Sequence, residues 1–114
     1  MKSYQLGPKG TIVAGEAITK NRFVDCLGTT VVDTKCAGVA LFDAADGETV
    51  TIQMSGIAVV ESGGAITAGN HVSADADGKA VALTIDNVDD IPKNNGVALD
   101  TASGAGEFIR VRLI

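Results

Sequence analysis

The chain has 114 residues, a mass of 11.5 kDa and a net charge of −5, which suits a single domain with one core. The excess of 14 Asp+Glu over 9 Lys+Arg, with no basic run to offset it, opposes general attraction to nucleic acid or to an anionic lipid surface. The 46% hydrophobic fraction holds 3 Phe, 1 Tyr and no Trp, so the core is built from small aliphatic side chains of modest area, and burial between subunits is a further source of stability open to it.

In chain order, residues 1–10 carry no apolar core of signal-peptide type, and no segment reaches membrane-spanning length. The expectation is a chain made and kept in the cytoplasm, with a flexible N-terminal arm over 1–10. Gly7-Pro8-Lys9-Gly10 lacks the frame of a phosphate-binding loop. Strand signals then dominate, with Val, Ile and Thr runs punctuated by Gly, Asp and Asn. Strands are expected over 11–14, 22–27, 29–32, 38–41, 49–54, 71–74, 80–84, 96–99 and 108–114. The runs 49–54 and 108–113 alternate polar with apolar, as half-buried strands do. Asp46-Gly47, Asp77-Gly78 and Asn95-Gly96 read as tight turns, because such dipeptides accept positive φ at little cost. The stretch 85–94 breaks the alternation and reads as a surface loop, with Ile85, Val88 and Ile91 spaced for at most one helical turn.

An internal echo organises the whole chain. Ala17-Ile18-Thr19 with Val24 recurs as Ala65-Ile66-Thr67 with Val72, and Gly38-Val39-Ala40-Leu41 with Ala44 and Glu48 recurs as Gly96-Val97-Ala98-Leu99 with Ala102 and Glu107. The offset is 48 residues at Ile18 and Ile66 and 58 at Val39 and Val97, which places an insertion in the 85–94 stretch. These patterns predict an all-β domain over 11–114, a small antiparallel barrel or sandwich built from two related β units at about 15–54 and 64–114. Gly38 and Gly96 are expected at close backbone approaches or bulges, so a Val at either position should impair folding.

Chemistry-bearing residues are sparse. His71 is the sole histidine, and its counterpart in the first unit is Phe23, which favours an exposed or packing position over acid-base work. Asp75-Ala76-Asp77-Gly78 opens like a calcium loop, but its glycine comes too early and Ala82, Leu83 and Thr84 stand where ligands belong, so a hairpin turn is expected. Asp86, Asp89 and Asp90 read as a solvated acidic loop, and Ser62-Gly63-Gly64 as a turn. Cys26 and Cys36 read as two buried thiols of a reducing compartment, with a bridge between neighbouring strands as the alternative. No catalytic residue, cofactor or metal site is expected.

The order and spacing of these pieces resemble the small phage capsid decoration, or cement, proteins of the DUF2190 type. The residues carrying the likeness are 15–24, 38–41 with Ala44, Ala45, Gly47 and Glu48, Gly56-Ile57-Ala58, 65–72, Gly96-Val97-Ala98 and the closing 106–113, so that it covers nearly the whole chain. The resemblance implies a structural, non-enzymatic protein of the virion. Its partners would be the major capsid protein and itself, as a homotrimer, assembled in the host cytoplasm. It would bind the outside of the expanded head and hold it against internal DNA pressure. On that reading the coat-contacting residues come from the arm: Lys2, Tyr4, Leu6 and Lys9. Two other readings stand beside it. One is a small β-clip module binding a ligand near Asn70, His71 and the neighbouring aspartates; the other is a different phage structural subunit, such as a tail-tube protein.

Overall fold

The computed structural model describes residues 9–25, 38–86 and 88–113. In chain order these form β1 (Lys9–Val13), β2 (Phe23–Val24), β3 (Gly38–Ala40), β4 (Thr49–Gln53), β5 (Ile57–Glu61), β6 (His71–Ala74), β7 (Ala80–Leu83), a 3-10 helix (Val88–Lys93), β8 (Gly96–Ala98) and β9 (Phe108–Leu113). The strands make two antiparallel sheets, ordered β1-β4-β3-β2 and β5-β9-β8-β6-β7. The fold is thus all-β, and the sheets pack as a sandwich. No continuous ladder among the described residues closes a barrel; a single bridge between Ser62 and Ala80 joins the end of β5 to β7.

The echo in the sequence is a duplication of structure. β1 lies on β4 with Thr11 opposite Thr51, and β5 lies on β9 with Val59 opposite Arg110. Ile18 bridges Ala44 in the first unit as Ile66 bridges Ala102 in the second. The Glu48 carboxylate accepts from the Ala45 amide at 2.6 Å, and that of Glu107 accepts from the Ser103 amide at 2.8 Å. Even the positive-φ corners correspond, Asn21 (φ 62°) with Gly69 (φ 95°) and Gly47 (φ 88°) with Gly106 (φ 87°). The units are longer than the repeated words in the sequence imply, because each begins one strand earlier, with β1 or β5.

Gly38 and Gly96 do sit at close approaches. A Cβ on Gly38 would meet the carbonyl oxygen of Gln53, and one on Gly96 that of Arg112 and, at 2.7 Å, the Val111 Cγ1. Gly47 and Gly78 have the positive φ of turn residues. Asn95-Gly96 is not a turn: Asn95 is buried and Gly96 opens β8 opposite Leu113, so neighbouring backbone, not turn chemistry, calls for that glycine.

Other boundaries shift. Lys9 and Gly10, expected in the arm, pair with Gln53 and Ile52 as the start of β1. β5 carries no simple alternation, since Ile57, Ala58, Val59 and Val60 run together, and it escapes a periodicity search; its odd positions are half-buried and its even ones buried. In β4 the alternation fails at Gln53, which is buried because its Nε2 donates to the Ser55 carbonyl at 3.0 Å and the Ile57 carbonyl at 2.9 Å. That amide pins the link between the units. The strand expected at 22–27 is present as Phe23–Val24 within the described residues; residues 26 and 27, the strand expected at 29–32 and both cysteines lie outside them.

Two cores follow the two units. One gathers Ile18, Val24, Ala40, Val50 and Ile52 with Ile12 against it; the other gathers Val60, Ile66, Val72, Ile109 and Val111 together with Phe23 and Val39 of the first unit. Phe23 and Val39 are 0% exposed, so the first unit lends its outer face to the second unit's core.

Candidate interaction surface

The residues singled out for chemistry do not converge. His71 opens β6, and Asp75 follows its far end. The Asp75 carboxylate is engaged in its own turn, accepting from the amides of Asp77 and Lys79 at 2.9 Å each, which is the hairpin arrangement in place of a cation loop. His71 is exposed, and its Nδ1 lies 3.0 Å from Asn94 Nδ2. Because Asn94 Oδ1 accepts from the Gly96 amide at 3.1 Å, its Nδ2 points to His71, and the ring accepts at Nδ1. This contact seats the insertion on β6. Among the described residues no three His, Cys, Asp or Glu gather as a metal cluster, and no pocket forms.

What the molecule presents instead is surface. The insertion expected at 85–94 holds the 3-10 helix, on which Val88 is 76% and Ile91 57% exposed. Lys93 lies 3.8 Å from Asp90 there. On the first unit, Val13 is 61% exposed and Phe42 62%. The outward face of β9 is stiffened by Arg110, whose Nε and Nη2 each lie 3.0 Å from the Asp100 carboxylate; this hydrogen-bonded clamp, against the lowering effect of desolvation and with the help of the Asp100 charge, raises the guanidinium pKa above its usual value. Of the arm residues, Lys9 is exposed on β1, whereas Lys2, Tyr4 and Leu6 lie outside the described residues. Sequence reasoning missed the Phe42 and Val13 exposures; an apolar side chain in a strand or turn carries no signal of which face it takes.

Comparison with known proteins separates the readings. A family model described as phage cement protein matches residues 4–113. The chain belongs to the phage cement protein family. Among solved structures, this cement protein is similar to the N base of head fiber gp8.5 of bacteriophage phi29, at 20% identity, with 94% of this chain and 93% of that chain covered and a TM-score of 0.75. At that identity the likeness speaks for the fold. No curated protein matches the chain. The cement protein is accordingly a phage structural protein associated with the capsid.

Proposed function

We infer that this cement protein binds the outer surface of the expanded phage head as a homotrimer and holds neighbouring coat subunits together against the pressure of packaged DNA, without a catalytic step. The observation that carries the reading is the family match across residues 4–113. Physical features of the chain support it. Two duplicated β units share Phe23 and Val39 in one core, which makes a stiff body suited to load. A symmetric oligomer touching several coat subunits gains avidity from modest individual contacts. With net charge −5, the protein is matched to a protein surface rather than to nucleic acid or membrane.

On this reading the arm, with Lys2, Tyr4, Leu6 and Lys9, reaches the coat from the end of β1, where Lys9 already pairs with Gln53. The virion surface is then the protein's final location, reached by assembly in the host cytoplasm. Mixing purified protein with expanded and unexpanded shells and counting bound copies tests the function. Saturable binding to expanded shells alone is expected; equal binding to both, or none, overturns it. Removing residues 1–8 should reduce occupancy, and undiminished binding would exclude the arm.

A further inference from the structure

The second unit carries two surfaces that its own packing leaves unused. One is the insertion, where Ile85, Val88 and Ile91 are 37%, 76% and 57% exposed, Val88 more so than any other exposed large hydrophobic among the described residues. These side chains stand on a braced segment. The Asp86 amide donates to Asp90 Oδ2 at 3.1 Å, Lys93 lies 3.8 Å from Asp90, and buried Asn94 meets both His71 and the Gly96 amide. Apolar groups held out on ordered backbone lose little further freedom when a partner covers them. Beside them the Asp86 side chain is exposed, with no cation against it among the described residues.

The other surface is the outward face of the second sheet around Arg112. Of the three arginines, Arg22 is paired with Glu61 and Arg110 with Asp100. Arg112 is exposed and has no carboxylate partner among the described residues. Its neighbours across the strands are Ile57 on one side and Val97 on the other, both half-buried, and His71 follows Val97 in the same row. β7 extends this sheet at its edge, beyond β6, and not over this face. A guanidinium set between apolar side chains is matched by a partner that is both acidic and apolar.

We propose that the insertion of one copy docks on this face of a second copy, with Val88 and Ile91 against Ile57 and Val97 and the Asp86 carboxylate on the Arg112 guanidinium. This rests on the self-association part of the function proposed above. The occupant is a second copy because the chain itself carries both complementary patches, one apolar and acidic, the other apolar and basic. Two chains of charge −5 repel one another on average. A contact that draws them together needs a cation not already neutralised, and Arg112 supplies it. The patches differ, so the contact is heterologous and runs head to tail until a ring closes, as in a trimer. His71, in the row of Arg112 and against Asn94, places the two patches side by side, so each copy can give its insertion to one neighbour and its sheet face to the other.

Sedimentation of the free, full-length protein over a concentration series tests this without capsids. The native chain is expected to self-associate, less tightly in high salt. Arg112→Glu should weaken association by about tenfold or more, since it sets a carboxylate against Asp86. Arg112→Glu combined with Asp86→Arg should restore it by exchanging the two charges across the contact. Val88→Ser, on a separate element, should weaken association at every salt concentration, because it removes apolar area and no charge. Circular dichroism melts of the variants should match the native chain, as all three side chains are exposed. A chain monomeric at every concentration overturns both self-association and this interface while leaving capsid binding to its own assay. An oligomer indifferent to Arg112→Glu or to Val88→Ser, or one that the exchanged pair does not restore, overturns the interface alone.

Discussion

Phe23 and His71 hold the same place in the two units, each opening a strand that pairs with β3 or β8, and their surroundings are opposite. Phe23 is wholly buried because the second unit lies over it, whereas His71 is exposed and braces the 3-10 insertion through Asn94. The strand order around them is the same, except that the second sheet carries β7 beyond β6. Duplicated backbone can therefore be specialised by what its outer face meets: one face becomes core, the other stays surface.

The largest test of that contrast is truncation. Phe23→Ala should cost about 3–5 kcal/mol, the range for removing a buried aromatic ring, while His71→Ala should stay within about 1 kcal/mol because the side chain is exposed. Denaturant unfolding measures both, and equal losses would erase the distinction between the units.

Next come the paired glycines. Gly96→Ala and Gly38→Ala should each cost about 1–3 kcal/mol or more through overpacking. Gly96 should be the worse of the two, since its Cβ would press on Val111 Cγ1 at 2.7 Å, whereas the nearest side-chain atom at Gly38 is Ile52 Cδ1 at 3.3 Å. Gly64→Ala, with nothing within 4 Å of its Cβ, serves as the control and should shift stability by no more than about 0.5 kcal/mol. Thermal melts that rank the three differently would count against the observed register.

The smallest effect belongs to the ionic link between units. Glu61 faces Arg22 at 3.3 Å and Lys79 at 3.5 Å, with all three side chains partly in water. Glu61→Gln should therefore cost about 1 kcal/mol or less, and less still in high salt. A larger, salt-independent loss would mean that this pair, rather than Phe23, joins the units.

Much of the architecture is legible in the order of the residues. The alternation in 108–113 places Ile109, Val111 and Leu113 inward, as found, and the echo locates the Ile18 and Ile66 bridges and the insertion that holds the 3-10 helix. Where local rules fail, a distant partner is the cause. Asn95-Gly96 has turn composition, yet the carbonyl of Arg112 claims the space a side chain would need. Gln53 has a polar side chain at an outward position of its strand and is buried, because the link to β5 offers two carbonyls to its amide. The interaction surface is less legible than the fold: Val88 falls in the expected surface loop, but Val13 and Phe42 are ordinary apolar residues in sequence, and only the packed molecule shows them left outside.

Residue order alone dictates an all-β chain, its duplicated plan, the two glycines on which that plan turns, and a pattern resembling the cement proteins. Such features depend on side-chain period, backbone freedom and spacing, all properties of neighbouring residues. Which unit spends its outer face on the other, and which keeps it open, is settled by packing in three dimensions. That choice follows from how two folded surfaces meet, and burial energy is a property of the pair rather than of either segment.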